Sequence, residues 1–282
     1  MDSTQAQPNT LVDPAGTLVV KLGYRGADFA GFAEQPGQRT VAGELRHALE
    51  TYLRRPCELT CAGRTDAGVH ALAQHVSVPV TADELLIQGR RLERSLSAIV
   101  PDDISIRALY RADASFSARF DAVSRSYRYR ISCGNARPVH GWGHVWWLWA
   151  EPDLNVQAMH EAAQCLVGEH DFRSFCKVSS AAAILADGRS TSRELTHVSV
   201  TREREAGEDL IVLDVTGNAF LHNMVRAITG TLVEVGRGHR DPSWVRAALE
   251  ARERTAAGPT APALGLTFEQ VCYEEGALTP WE

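Results

Sequence analysis

One short segment of the chain combines residue types that do chemistry with residue types that make turns. Residues 61–74 read CAGRTDAGVHALAQ, in which Arg64, Thr65 and Asp66 lie between two glycines. Glycine adopts backbone conformations that other residues avoid, so the pair indicates a tight turn. A carboxylate can act as a nucleophile or a base, and a neighbouring arginine favours its ionised form. Asp66 is therefore the first candidate catalytic residue.

The sequence pattern alone is also explained by simpler roles for Asp66. An aspartate between two strands often forms an Asx turn, and Arg64 is available as a local ion-pair partner. Asp66 and His70 would alternatively share a metal ion, but no further carboxylate or histidine lies at helical spacing nearby. The six cysteines lack the paired spacing of a zinc site, so we expect reduced thiols and no metal.

A second candidate lies in a predicted helix over residues 219–235, which is apolar on most of its surface. Arg226 shares a helix face with His222 and Gly230, which lie four residues to either side. An arginine on a buried helix needs an acidic partner, because a buried unpaired charge is very costly. A structural ion pair with another acid is the alternative. Our hypothesis is that the partner is Asp66, reached from the other half of the chain.

Tyrosines and arginines alternate in SRSYRYRIS, residues 124–132, which predicts a strand with Tyr127 and Tyr129 on one face. Such a pair is explained equally by two tyrosines facing the core. In the functional interpretation, Tyr127 faces a cleft and contacts a substrate there.

Basic residues are concentrated around this strand in a chain whose net charge is −6. Against two aspartates, the segment 107–137 has seven arginines, at positions 107, 111, 119, 125, 128, 130 and 137. Arginine pairs with phosphate in a fork geometry and stacks on bases. The segment therefore predicts either a solvated face or a phosphate track, for which Arg119, Arg125 and Arg128 are the candidate contacts.

The elements that position these residues fall into two halves with the same order. The first half has predicted strands over 17–24, 57–62, 74–80 and 104–110, and helices over 40–53 and 82–99. The second half has predicted strands over 124–132, 193–201, 209–216 and 267–273, and helices over 153–168 and 219–235, with a shorter helix after Pro242. The segment 180–192 has the character of a mobile loop. Each half reads β-α-β-β-α-β, the pattern of ferredoxin-like and RRM-like units.

We therefore predict an α+β fold with mainly antiparallel sheets and a catalytic cleft between two βαββαβ halves. The predicted division is a flexible tail over 1–16, halves over 17–112 and 113–275, and a C-terminal tail over 276–282. The first sixteen residues have no apolar run of a signal peptide, and no stretch reaches the roughly 20 apolar residues of a membrane span. We expect a cytoplasmic protein with no membrane partner.

Four blocks of the sequence form a pattern that can be compared with known families. They are GRTDAGVHA (63–71), FSARFDAVSRSYRYR (116–130), GNAFLHNMVRAITGTLVEVGRG (217–238) and APALGLTFEQVCY (261–273). Together they resemble the tRNA pseudouridine synthase A family. The resemblance runs in the same order from about residue 17 to 275. It implies the pseudouridine synthase fold, a homodimer, and uridines 38, 39 and 40 of the tRNA anticodon stem–loop as substrates. It implies no cofactor and no DNA partner.

The resemblance also implies roles for single residues. Asp66 matches the catalytic aspartate, Tyr127 the substrate-contacting tyrosine, and Arg226 an arginine of the third block. Within the matched blocks we also take Arg64, Thr65, His70 and Leu266 as substrate-binding residues. A base inside a duplex must be extruded before it reacts, and Arg64 could fill the vacated space.

Two segments depart from the family pattern. YRG (24–26) has Arg25 where the family has an acid, and GFAEQ (31–35) lacks a tryptophan and a glutamine of the family. These changes concern RNA contacts and positional preference. The leading alternative function is a non-catalytic RNA-binding module of two RRM-like units, although neither half has the aromatic RNP1 pattern. A metal-dependent hydrolase acting on a nucleotide is a third interpretation.

Overall fold

The structure is a computed structural model that describes residues 13–141, 143–149 and 153–282. Its strands are β1 Gly16–Tyr24, β2 Thr60–Cys61, β3 His70–Val80, β4 Ile104–Ala112, β5 Ala122–Gly134, β6 Trp146–Trp149, β7 Gly168–Asp171, β8 Ser192–Glu205, β9 Glu208–Gly217, β10 Leu266–Tyr273 and β11 Thr279–Pro280. Its α-helices are α1 Val41–Leu53, α2 Ala82–Leu85, α3 Gly89–Ile99, α4 Val156–Ala163, α5 Val178–Ala186, α6 Met224–Gly236 and α7 Ser243–Ala251. In the described part of the chain, no helix is both long and apolar enough to cross a bilayer.

The strands join one large, mostly antiparallel sheet. Their order is β11-β4-β1-β3-β10-β5-β9-β8-β7, with β2 beside β3 and β6 beside β5. The first half of the chain joins the second where β10 pairs in parallel with β3, Thr267 lying opposite His70 and Phe268 opposite Ala71. The two halves therefore share a continuous sheet, and the loops near the β3–β10 pairing come from both.

Helices pack on the sheet through the alternating apolar residues of its strands. In β1 the side chains of Leu18, Val20 and Leu22 are fully buried and lie in one core with residues of α1 and α3. Successive side chains of a strand point to opposite faces, so these three share the face that the helices cover. Helix α1 begins where predicted, because the Thr40 side chain accepts a hydrogen bond from the Gly43 amide.

Several predicted elements have different bounds in the structure. The prediction of a loop over 180–192 is wrong for its first part, since Val178–Ala186 form α5, and only residues 187–191 lie outside helices and strands. Three consecutive alanines lie in this segment, and alanine is the strongest helix former. The helix predicted over 82–99 is two helices, and α6 begins at Met224, five residues later than predicted. Strand β7 was not predicted.

The segment predicted as a C-terminal tail, 276–282, packs against the first half in the structure. Strand β11 pairs with β4, and the Trp281 side chain is buried, with its indole N–H donating to the carbonyl of Ile87 at 2.8 Å. The chain end is therefore part of the first half. Of the tail predicted over 1–16, residues 1–12 lie outside the described residues, and β1 begins at Gly16. The boundary predicted after residue 112 coincides with the end of β4 and stays a prediction.

Candidate active site

Asp66 lies in the loop that connects β2 to β3. Its carbonyl accepts a hydrogen bond from the Val69 amide at 3.2 Å, and Gly68 has a positive φ of 80°. The turn is therefore made by the backbone and by glycine. The Asp66 side chain is 25% exposed and contacts side chains from the second half of the chain.

Two cationic or potentially cationic groups lie against the Asp66 carboxylate. The Arg226 Nη1 atom donates to Oδ2 at 3.3 Å, and the His222 Nε2 atom lies 3.2 Å from Oδ1. This confirms the predicted contact between Arg226 and Asp66. His222 lies two residues before α6 and Arg226 lies in its first turn, and the positive end of a helix dipole favours a negative charge there. Each oxygen of the Asp66 carboxylate therefore has a nitrogen partner from the second half of the chain.

Arg226 is itself fixed by neighbouring groups. Its Nε atom donates to the carbonyl of Ala261 at 2.8 Å, and Nη1 also donates to Oδ1 of Asn223 at 3.1 Å. The Ala261 amide donates in return to the Arg226 carbonyl at 3.0 Å. The guanidinium thus reaches Asp66 from a position set by α6 and by the segment before β10.

Close backbone packing explains two glycines of the site. An added Cβ on Gly230 of α6 would lie 1.9 Å from the Pro259 carbonyl oxygen, so only glycine lets this segment approach the helix. An added Cβ on Gly26 would lie 1.9 Å from the Val69 carbonyl oxygen. The segment after β1 therefore packs directly against the Asp66 loop.

Thr65 and His70 hold that packing together, and both are buried. The Thr65 hydroxyl is 2.7 Å from the Tyr24 hydroxyl, and the Thr65 carbonyl accepts from the Phe32 amide at 3.0 Å. The His70 Nδ1 atom accepts from the Gly26 amide at 3.1 Å. Both side chains face inward and support the loop, and their predicted contact with a substrate stays a prediction.

Tyr127 is buried beside the Asp66 loop. Its ring centroid lies 4.8 Å from that of Phe220 and 4.8 Å from that of Phe268. An added Cβ on Gly63 would lie 3.6 Å from the Tyr127 hydroxyl, so the hydroxyl reaches the loop itself. Burial raises the pKa of Tyr127 above its ordinary value, with the Asp66 charge as a further cause. The phenol therefore stays protonated.

The structure corrects the predicted role of Arg125. This side chain is buried on the same strand face as Tyr127, and burial lowers its pKa. Its guanidinium donates to the carbonyls of Ala62, Ala122 and Asn218, at 2.6–3.2 Å, and to that of Arg119. These donors are used inside the protein and do not reach a phosphate.

Arg128 is corrected for a different reason. It lies on the opposite strand face and pairs with Asp214 at 2.8 Å and with Glu203 and Glu205 at 3.1 Å. Arg130, two residues on, pairs with Glu205 and Glu269. Acidic residues of neighbouring strands neutralise this face, so these arginines form no phosphate track.

The remaining predicted substrate contacts differ in how exposed their side chains are. Arg64 and Arg119 are exposed, Arg64 two residues before Asp66 and Arg119 with its guanidinium 5.4 Å from the ring centroid of Phe120. Leu266 is buried and pairs with Tyr129 across β10 and β5. The structure therefore leaves Arg64 and Arg119 free to meet a substrate and places the Leu266 side chain in the core.

Sequence reasoning missed three groups at the site. These are His222, Asn223 and Ser180, whose hydroxyl lies 2.9 Å from Nδ1 of His222. Two of them are the residues HN three and four positions before Arg226, a polar pair inside an otherwise apolar segment. That polarity was the available signal. Within the described residues, no group of three or more acidic, histidine or cysteine residues is arranged to hold a metal ion.

Comparison with known proteins gives consistent relatives. A family model described as tRNA pseudouridine synthase matches residues 162–274. The chain is 40% identical over 259 residues to a tRNA pseudouridine synthase A of Aliivibrio fischeri strain MJ11, covering 91% of this chain and 92% of the relative. It is 41% identical over 268 residues to that of Frankia casuarinae, covering 93% and 91%, and 35% identical over 260 residues to that of Geobacillus kaustophilus, covering 91% and 94%.

Proposed function

Because the chain belongs to the tRNA pseudouridine synthase A family, we propose that it isomerises uridine to pseudouridine in tRNA, at positions 38, 39 and 40 of the anticodon stem–loop. The observation that carries the proposal is the Asp66 carboxylate beside Arg226 and His222, two residues of the opposite half of the chain. A protein that only bound RNA would have no use for a carboxylate held in this way.

The reaction needs a group that can accept or share charge. It adds no atoms from another molecule. The bond between N1 of uracil and C1′ of ribose breaks, and a bond between C5 and C1′ forms. C5 loses a proton, N1 gains one, and nothing is oxidised or reduced. Asp66 supplies the nucleophile or base for this exchange, and Arg226 holds the carboxylate in place through its contact with Oδ2.

Residues around Asp66 receive the base. A uridine in a stem must leave the helical stack before its ring can reach a side chain. Exposed Arg64 lies beside Asp66 on the same loop and is our candidate for occupying the vacated space. Tyr127 comes against the same loop, where its protonated hydroxyl serves as a hydrogen-bond donor to the reacting base.

The same family membership supports three finer proposals. The strand orders β4-β1-β3-β2 and β10-β5-β9-β8 lead us to regard each half as a ferredoxin-like unit. Following the family, we propose a homodimer that works in the cytoplasm. Light scattering of the purified protein tests the dimer, and a mass of one chain would contradict it.

The function is tested by mapping pseudouridine in tRNA after incubation with the purified protein. We expect new pseudouridine at positions 38, 39 and 40 and at no other uridine. The matched control is the same tRNA with cytidine at the three positions, which should gain none. Conversion that persists in the control, or no conversion of the original tRNA, would overturn the proposal.

A further inference from the structure

His222 lies at the site but has no part in the chemistry proposed above. It precedes α6 by two residues, and its side chain is 40% exposed. Its Nε2 atom lies 3.2 Å from Oδ1 of Asp66, while Arg226 holds Oδ2. Each carboxylate oxygen therefore has its own nitrogen partner.

A short segment at the start of α5 holds His222 on two sides. The Lys177 amide donates to the His222 carbonyl at 3.1 Å, and the Ser180 hydroxyl lies 2.9 Å from Nδ1 of the ring. The Ser180 amide donates to the Lys177 carbonyl at 3.0 Å, which closes the turn that presents the hydroxyl. Backbone and ring of His222 are thus both fixed by residues 177–180.

The contact with Ser180 has a consequence for the opposite side of the ring. A neutral imidazole has one nitrogen with a proton and one without. If the Ser180 hydroxyl donates to Nδ1, the proton is on Nε2, the atom that faces Asp66. In the imidazolium both nitrogens carry protons, so Nε2 again presents a donor to Oδ1. Partners of this kind set the tautomer and orientation of functional histidines.

We propose that His222 is a positioning residue for Asp66 and that Ser180 orients it. The inference rests on the proposed function. With Arg226 on one oxygen and His222 on the other, the carboxylate cannot rotate freely, and one face of it is kept toward the substrate. A misplacement of about 1 Å can lower a rate by about 100-fold, so this restraint acts on the chemical step.

The experiment compares variants that keep or remove a donor at the Nε2 position. The amide nitrogen of glutamine reaches approximately where Nε2 lies, whereas the amide of asparagine reaches only the Nδ1 position. We therefore compare His222→Gln, His222→Asn and His222→Leu, together with Ser180→Ala. The control is His197→Leu, because His197 is an exposed histidine whose Nε2 lies 3.1 Å from the Ser199 hydroxyl. Single-turnover pseudouridine formation and tRNA dissociation constants are measured for each.

We expect His222→Leu and His222→Asn to lower the single-turnover rate by about 10- to 100-fold, and His222→Gln to recover most of it. Ser180→Ala should lower the rate by a smaller factor. The tRNA dissociation constants should stay within about twofold of wild type, and the His197 control should be unchanged in rate. Circular dichroism checks that each variant is folded, and if His222→Leu is not, the glutamine–asparagine comparison decides.

Two results would overturn the inference. One is a wild-type rate in both His222→Leu and His222→Asn. The other is a loss of tRNA affinity as large as the loss of rate, which would make His222 an RNA contact. The proposed function fails separately, because its failure would appear in the wild-type protein, which would then form no pseudouridine in the same assay.

Discussion

A carboxylate that has to stay ionised beside a nucleobase needs partners that do not move away when water leaves. Asp66 has Arg226 for this purpose, and Arg226 is tied to Asn223 and to the Ala261 carbonyl. The Arg226 side chain is 18% exposed and so is partly shielded from solvent. This shielding strengthens its attraction to Asp66 relative to that of a fully exposed ion pair. The electrostatics of the site thus depend on Asn223 and Ala261, which hold Arg226 in place.

At the residue scale, the first prediction concerns the Tyr127 hydroxyl. Tyr127→Phe keeps the ring between Phe220 and Phe268 and removes only the oxygen. Since burial keeps the phenol protonated, its contribution is a hydrogen bond to the reacting base. We expect the single-turnover rate to fall at least about tenfold, with tRNA affinity nearly unchanged.

The matched control is Tyr52→Phe on α1, which carries the same change away from Asp66 and should keep the wild-type rate. Equal single-turnover rates in Tyr127→Phe and wild type would contradict a chemical role for the hydroxyl.

The sequence predicted Asp66, Arg226 and Tyr127 as site residues because the resemblance names them and because a buried arginine requires an acid. It failed for Arg125 and Arg128, which the local charge of the segment grouped as one surface. Strand alternation puts Arg125 in the core and Arg128 on the other face, and the acids that neutralise Arg128 come from strands 75 to 86 residues away. Composition within a segment contains no information about such distant partners.

At the element scale, the start of α6 is the part of the fold that assembles the site. Asn223 precedes the helix with a φ of 65°, a left-handed conformation that asparagine tolerates better than most residues. Its side chain is then turned toward Arg226. One residue thus sets both the backbone entry to the helix and the orientation of the guanidinium.

These two roles of Asn223 can be separated by substitution. Asn223→Ala should lower the free energy of unfolding by about 1–2 kcal/mol, because alanine is strained in this conformation. Asn223→Gly relieves that strain but also lacks the Oδ1 acceptor for Arg226. We expect urea unfolding to show glycine as the more stable variant, and both variants to lose single-turnover rate to a similar extent. A full rate in Asn223→Gly would show that the acceptor is not needed.

Helix α5 was not predicted from the sequence. Its alanine-rich sequence favours a helix, but the serines, glycine and charges around it favoured a loop. What stabilises the segment in place is its contact with the residues before α6, through the Lys177 amide and the Ser180 hydroxyl. Contacts between segments about 40 residues apart are not visible in a local pattern, so Ser180 was missed as well.

At the scale of the whole molecule, two buried histidines make stability depend on pH. Burial lowers the pKa of His70 and of His75 to about 4, against about 6.5 in an unfolded chain. Between these values the unfolded chain binds protons that the folded protein does not. Stability should therefore fall as the pH drops from about 6.5 toward 4 and should not change further from this cause below pH 4.

His75 gives the cleaner test, because it lies away from Asp66, with Nδ1 against the Ala73 carbonyl and its ring near Tyr110 and Tyr273. Urea unfolding at pH 7.5 and pH 5.0 should show a smaller loss of stability in His75→Gln than in wild type, by about 1–2 kcal/mol. His197→Gln, at an exposed position, serves as the control. An equal loss of stability between pH 7.5 and pH 5.0 in His75→Gln and wild type would contradict the assignment of this pH dependence to His75.

The continuous sheet gives the two halves a fixed relation through the β3–β10 pairing. The sequence predicted a mixed α and β fold with a mainly antiparallel sheet, because strands and helices depend on local periodicity and on turns. It did not predict that the chain end would pair with β4 or that the halves would share one sheet. Both depend on pairing between distant strands, for which a single sequence has no local signal.

The most direct measurement compares wild type with Asp66→Asn for tRNA binding and for conversion of uridine under single-turnover conditions. Asparagine keeps the size of the side chain and removes its charge. We expect an unchanged dissociation constant, within about twofold, and no detectable pseudouridine, because the step depends on the charge of the carboxylate. Conversion of uridine by Asp66→Asn at a rate near that of wild type would contradict it.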